Sequence, residues 1–154
     1  MQTDPWNYCL NLYARPGVEQ ACLSLQAQGL DVCLLLCAAW LQERGVACSE
    51  ARLEHLKVCA GPWQREVVQP LRQLRIRWRD AAAQDDSLSA LRMQVKALEL
   101  EAERTLLQRL EAATQGWSST RSGDNCDWLN KMASSASHPD CDALHRLRAA
   151  INRA

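Results

Sequence analysis

The segment DVCLLLCAAWL, Asp31–Leu41, decides the fold because a helix-capping residue precedes an unbroken apolar run. The Asp31 side chain can accept hydrogen bonds from the free backbone N–H groups at a helix start. From Val32 onward, apolar or thiol side chains occupy every face of the helix, which predicts a central helix surrounded by others. The run is too short to cross a bilayer, so it indicates a core helix and no membrane span.

Similar signals on either side of this segment predict further helices. Asp4-Pro5 and Ser49 are typical helix starts, while Gly29 and Gly45 are typical of left-handed helix ends. In the first helix, one face is expected to carry the apolar side chains Trp6, Cys9, Leu10 and Tyr13. The distances between these start and end signals predict several short helices.

Two prolines divide the region that follows. Gly61-Pro62 is expected to end a fourth helix and to open a fifth over about 63–79. Pro70 lacks an N–H and crowds the preceding turn, so it predicts either a kink or two helices meeting near Gln69.

One long helix is predicted near 88–115. Its apolar stripe is Leu88, Leu91, Val95, Leu98, Ala102, Leu106 and Leu110. The spacing slips from a strict heptad, which favours a bundle helix over a long coiled coil and is compatible with a homodimer. No stretch alternates with a period of two. The sequence therefore predicts an all-α, compact orthogonal or bundle-like domain of about five to seven helices.

The composition changes near the C-terminal end. Residues 5–115 are interpreted as the helical domain, 116–124 as a flexible linker rich in Ser, Gly, Asp and Asn, and 125–154 as a helical tail. Whether the tail docks on the domain stays open at this point.

Charge and the first residues bear on location. Lys plus Arg and Asp plus Glu number 18 each, so no net charge attracts polyanions or an anionic membrane. The opening residues lack a basic segment followed by an apolar one, as an export signal requires. A cytoplasmic location without membrane association is expected.

Two motifs carry a family resemblance. The segment 6–41, with LYARPGV at Leu12–Val18, and the segment 62–75, with VxxPLRxLR at Val67–Arg75, resemble a family of small proteobacterial proteins classed as a domain of unknown function. The resemblance covers roughly 5–112. It implies an all-helical intracellular protein, and it implies no activity, substrate or catalytic residue.

The chain has eight cysteines and no CxxC pair, so buried, reduced thiols are expected, with no cofactor. Two zinc sites are weighed as alternatives because the spacing allows cysteine and histidine to share helical faces. One comprises Cys33, Cys37, His55 and Cys59. The other lies in the tail and comprises Cys126, His138, Cys141 and His145.

A protein-binding face is the favoured functional interpretation. Tryptophan and arginine are enriched where protein partners bind most strongly, and the proposed face comprises Trp63, Arg65, Arg72, Arg75 and Arg79. These arginines could instead grip nucleic-acid phosphates, although no reading motif accompanies them. They could also pair inside the protein with Glu99, Glu101 and Glu103.

No catalytic motif occurs, and only three histidines could exchange protons near neutral pH. An enzyme is therefore disfavoured. The sequence favours an interaction or regulatory adaptor for an unidentified protein. The alternatives are a metal- or redox-responsive helical protein and a weak nucleic-acid binder acting through residues 62–80.

Overall fold

The computed structural model describes residues 3–119, 127–134 and 141–152, excluding the Cys141 side chain. Helices make up most of these ranges, which contain no β-strand and a single isolated bridge between Val46 and Ser119. The all-α class and the long helix are thus confirmed. Within the same ranges, no helix combines the length and apolar character needed to span a membrane.

The helices follow one another with short connections. They are α1 (Pro5–Tyr13), α2 (Val18–Ala27), α3 (Val32–Glu43), α4 (Glu50–Trp63), a π-helical turn (Gln64–Val68), α5 (Gln69–Arg77), α6 (Arg79–Ala82), α7 (Asp86–Ala113), α8 (Trp128–Ala133) and α9 (Cys141–Asn152).

The predicted caps form as expected. Asp4 accepts a hydrogen bond from the backbone N–H of Asn7 at 2.9 Å, and Asp31 accepts one from that of Leu34 at 3.1 Å. Each bond satisfies a donor that has no partner within its helix. Gly45, just beyond α3, has a φ of +69°, a conformation that costs glycine little. Side-chain and glycine signals therefore set the ends of these helices.

The helix α3 lies at the centre of the fold, as its apolar sequence predicts. Every side chain from Val32 to Leu41 is buried. The helices α1, α2, α4, α7 and α8 all pack against it. Because this helix has almost no polar face, it requires neighbours on most sides.

The tail docks on the domain, which settles the alternative left open by the sequence. α8 packs on α3, and α9 packs on α2. Trp128 of α8 is completely buried, and its indole N–H donates to the backbone oxygen of Val46 at 2.7 Å. From the other side, the Arg15 guanidinium donates to the backbone oxygen of Ala150 in α9. The described tail helices therefore complete the same hydrophobic core.

The expectation that Gly61-Pro62 separates two helices is wrong. Both residues lie inside α4, which continues through the π-turn into α5. Pro62 removes one backbone hydrogen bond and is itself exposed, but Ala60 and Gln64, two residues to either side, are buried. Trp63, the next residue, donates from its indole N–H to the Ala102 backbone oxygen of α7 at 2.9 Å. Tertiary packing here outweighs the local preference of proline.

The junction predicted near Gln69 is a change of helix type. In the π-turn, the Gln69 N–H donates to the Gln64 oxygen, five residues earlier. Such a turn contains one residue more than an α-helical turn, and it ends two residues before Pro70. The chain therefore stays helical where proline would disturb a regular α-helix.

We call α5, α6 and residues 86–103 of α7 the arm. The helix α5 has no fully buried residue, and it packs mainly on α7, α6 and the π-turn. Ala82 and Val95 of the arm, and Val68 at the end of the π-turn, are buried but lie outside the main core cluster. The arm is thus a small helical layer with limited apolar packing of its own.

Candidate functional site

Four charged side chains join α5 to α7 within the arm. Arg75 donates to Glu99 from Nε and, at 3.1 Å, from Nη2. Arg72 donates to Glu99 from Nε at 3.1 Å and to Glu103 from Nη2 at 2.9 Å. Glu99 is only 6% exposed, so this ion pairing is shielded from solvent. Shielded, multiply bonded pairs hold their geometry more firmly than surface pairs do.

The helices α5 and α7 are antiparallel, as the same contacts demonstrate. Moving from Arg72 to Arg75 along α5, the partners move backward from Glu103 to Glu99 along α7. The Nε of Arg92, two turns further back, donates to the Arg75 backbone oxygen at 2.9 Å. The arm therefore has a defined register.

A glutamine from α2 completes the surroundings of Arg72. With its amide oxygen oriented toward the guanidinium, Gln26 accepts from Arg72 Nε at 2.6 Å and from Nη1 at 3.3 Å. Every guanidinium nitrogen of Arg72 then has an acceptor. The protein therefore supplies acceptors on all sides of this guanidinium, which fixes its position.

A second buried amide lies in the π-turn. The Gln64 side chain is 7% exposed and hydrogen-bonds to Asp31, while its own oxygen Oε1 has no hydrogen-bond partner. Asp31 thus caps α3 and also contacts the π-turn. An orphaned buried oxygen is uncommon in folded proteins and marks this junction as unusual.

Sequence reasoning missed both glutamines, although each carried a signal. Gln26 lies four residues after Cys22 in the apolar stripe of α2, and Gln64 lies between Ala60 and Val68 at the same spacing. A polar residue at such a position faces inward, where it needs a polar partner.

The carboxyl groups respond differently to this environment. Burial raises the pKa of Asp31 above its ordinary value, and burial likewise raises that of Glu103. Burial also disfavours ionised Glu99, but hydrogen bonds from Arg75 and Arg72 outweigh it, so the pKa of Glu99 lies below 4.5. Glu99 is therefore the carboxylate whose charge the arm stabilises.

One flank of the arm is apolar. Leu71 and Leu74 of α5, and Trp78 just after it, are half-buried, whereas Leu91 and Leu98 of α7 are 50% and 56% exposed. Their helical spacing places all five on one side of the antiparallel pair, away from the side on which Gln26 meets Arg72. We call this surface the apolar flank.

The five residues predicted to form a partner-binding face lie in three different environments. Trp63 is half-buried beside α7, with the guanidinium of Arg109 over its ring at 4.0 Å. Arg72 and Arg75 point into the polar network, while Arg65 and Arg79 are exposed. The structure therefore does not bring the five together as one free surface, and partner binding by them stays a prediction.

The ion pairs also reduce the basic character of residues 62–80. Glu99 and Glu103 neutralise Arg72 and Arg75, which the sequence left open as an alternative. Glu101, the third acid considered, lies 3.9 Å from Arg104 on its own helix instead. Fewer arginines are left for phosphate contacts, which carry most of the affinity for nucleic acid.

The zinc set of Cys33, Cys37, His55 and Cys59 is not assembled. Cys33 and Cys37 are buried in α3, whereas His55 is exposed and its ring centre lies 6.0 Å from that of Trp117. Cys59 Sγ lies 3.9 Å from the Arg109 backbone oxygen. Across the described ranges, no three His, Cys, Asp or Glu side chains form a group that could hold a metal ion.

The alternative zinc set in the tail stays a prediction. Cys126 and His138 lie outside the described residues. Cys141 begins α9, and His145 of the same helix is exposed.

The fold and this site define an all-helical domain with a buried Arg–Glu network and an apolar surface. The chain belongs to the family described as "Protein of unknown function (DUF2390)", whose model matches residues 4–110. Comparison with curated proteins and with solved structures gives no match. The matched range contains the whole arm, whereas α8 and α9 lie beyond it.

Proposed function

We propose that this protein is a cytoplasmic interaction adaptor whose apolar flank binds an amphipathic helix of a partner protein. The observation that supports it most is the exposure of Leu91 and Leu98, which by helical spacing share one side of the arm with Leu71, Leu74 and Trp78. Large apolar residues grouped on a surface commonly mark binding sites. Scattered single residues would carry no such meaning.

A helix suits this surface better than an extended peptide does. The flank lies along two antiparallel helices, and its backbone donors and acceptors are already used within them, so it offers no edge for strand addition. Leu91 and Leu98 are seven residues apart, as are Leu71 and Trp78. A partner helix with apolar residues at matching intervals could pack between these rows.

The Arg–Glu network supports binding indirectly. Arg72 and Arg75 hold α5 on α7 through Glu99, so the two rows of apolar side chains keep their separation without a partner. A preformed surface loses less conformational freedom on binding.

The remaining charges indicate which partner would fit. Arg65, Arg77 and Arg79 are exposed, and they form no ion pair within the ranges that the structure covers. A partner helix with acidic residues beside its apolar ones would complement them.

The test compares variants that place glutamate on opposite sides of α7. Leu91→Glu/Leu98→Glu places carboxylates on the apolar flank, and Met93→Glu places one on the opposite side of α7, where Met93 is 71% exposed. Each protein, checked for folding by circular dichroism, is cross-linked in lysate of its native cell and its partners are identified by mass spectrometry. Sedimentation of the purified proteins measures self-association.

The proposal expects a protein that wild type and Met93→Glu both capture and that the double variant loses. A partner segment containing a predicted amphipathic helix should then bind purified wild type directly. Capture by all three proteins, or by none, would overturn it. Self-association abolished only in the double variant would instead identify a second copy of this chain as the occupant.

A further inference from the structure

A cleft lies on the side of α7 that faces away from the apolar flank, between α1, α3 and α7. Trp6 and Leu10 of α1, Val32 and Leu36 of α3, and Leu100 and Leu107 of α7 form much of its wall. Its volume is about 190 Å³. Leu10 and Leu100 are each about half exposed at 51% and 54%, so the cleft is open to solvent.

The size of the cleft sets the size of a ligand. An apolar protein cavity of about 150 Å³ holds a benzene ring. The present cleft therefore suits a molecule of roughly eight to ten non-hydrogen atoms, such as one aromatic ring with a short substituent.

The polar side chains in the wall restrict the chemistry of that substituent. Gln26, Arg72 and Glu103 line the cleft together. Arg72 already binds Glu99, Glu103 and Gln26, so its charge is neutralised within the protein and a ligand carboxylate would have to compete with those acceptors. Glu103 uses Oε1 for Arg72, and its second oxygen forms no hydrogen bond or ion pair with a described residue.

The balance of charge around the cleft also disfavours an anionic ligand. Two arginines face two glutamates in the network, and the carboxyl of Asp31 lies close enough to respond to Arg72. A ligand anion would enter an environment without spare positive charge, and a buried unpaired charge is costly. A neutral hydrogen-bond donor avoids both penalties.

We propose that this cleft binds a small, uncharged aromatic molecule whose single hydroxyl or N–H group donates to Glu103. The site is separate from the apolar flank, and it does not depend on the adaptor function. Trp6 and Tyr13 supply aromatic surface to the wall, and the leucines supply the remaining apolar contact.

The probes are 4-methylphenol, toluene and benzoate, which share a ring and differ in the polar group. Binding to the full chain is measured by ligand-observed NMR titration. The dissociation constant of 4-methylphenol should be roughly millimolar, as suits so few atoms. Toluene lacks the donor and should bind about fivefold more weakly. Benzoate should bind more weakly still.

Leu100→Trp fills the mouth of the cleft and should weaken 4-methylphenol binding at least about tenfold. Leu23→Trp is the matched control because Leu23 is 56% exposed on α2 and does not line the cleft. If circular dichroism reveals that Leu100→Trp is misfolded, Leu10→Trp blocks the opposite lip. The proposal fails if wild type shows no saturable binding, if benzoate binds as tightly as 4-methylphenol, or if a folded blocking variant binds like the control.

Discussion

Arg75 and Glu99 form a two-bonded ion pair that joins α5 to α7 inside the arm. Arg72 shares the same carboxylate, so Glu99 is the common acceptor for both arginines. Because α5 has no fully buried residue, apolar contacts contribute little to holding it on α7. The Glu99 carboxylate therefore has a large part in keeping α5 in place.

Glu99→Gln should lower the free energy of unfolding by about 3 kcal/mol, because it leaves two largely buried guanidinium groups short of a charged acceptor. Urea unfolding followed by circular dichroism measures the change. Glu101→Gln is the control, since the Glu101 side chain is 68% exposed and its nearest cation is 3.9 Å away. The control should stay within about 0.5 kcal/mol of wild type. Equal effects of the two variants would contradict the assigned role of Glu99.

The stabilisation by Glu99 should disappear in acid. The pKa of Glu99 is lowered from 4.5 in the folded protein, so its contribution is present above that value and is lost as the pH falls through the folded pKa. The difference in unfolding free energy between wild type and Glu99→Gln should therefore be large at about pH 7 and small at about pH 2.5. Asp31 and Glu103, whose pKa values are raised, occur in both proteins and largely cancel. A difference independent of pH would exclude the ionised carboxylate as its source.

The tail should unfold together with the domain. Trp128→Phe removes the indole donor to the Val46 backbone oxygen and leaves a small void, which should cost about 2–3 kcal/mol. Trp78→Phe, at a half-buried position of the arm, should cost less than about 1 kcal/mol. Thermal unfolding should remain a single transition in both variants. If the tail unfolded in a separate transition while that of the domain stayed unchanged, the tail would not be part of the cooperative core.

Four thiols should resist modification in the native state. Burial raises the pKa of Cys22 to about 11 and that of Cys9 to about 12, and it raises the pKa values of Cys33 and Cys37 also. At about pH 8, a thiol with a pKa of about 11 is ionised in roughly one molecule in a thousand. Native labelling with iodoacetamide, mapped by mass spectrometry, should therefore modify half-buried Cys59 before these four. Labelling in urea is the control for reactivity. Rapid native labelling of any of the four would contradict their burial.

The helix ends were predictable because local chemistry determines them. Asp31 and Asp4 cap helices from their own side chains, and this requires no knowledge of distant residues. Pro62 was misjudged because its tolerance depends on packing with α7, from which it is separated by some forty residues of sequence. The Arg72–Glu99 pair could be proposed from charge alone, but its geometry depends on how α5 and α7 align.

The predicted apolar stripes differed from the structure in an informative way. Leu10 and Tyr13 were assigned to the stripe of α1, and Leu91 and Leu98 to that of α7, yet all four are substantially exposed. Periodicity identifies a face that avoids water, but it does not determine whether the protein itself covers that face. Leu10 and Tyr13 line the cleft, and Leu91 and Leu98 lie on the apolar flank. The binding surfaces proposed here are therefore the parts of those stripes that folding leaves incomplete.

The π-turn at Gln64–Val68 also sets the angular phase of everything that follows it. One additional residue rotates the later part of a helix by about 100° relative to its earlier part. Removing a single residue there would turn the arginines of α5 away from Glu99 and bring other residues toward α7. α4, the π-turn and α5 thus form one continuous helix. The extra residue lets the side chains of α4 face the core while the arginines of α5 face Glu99.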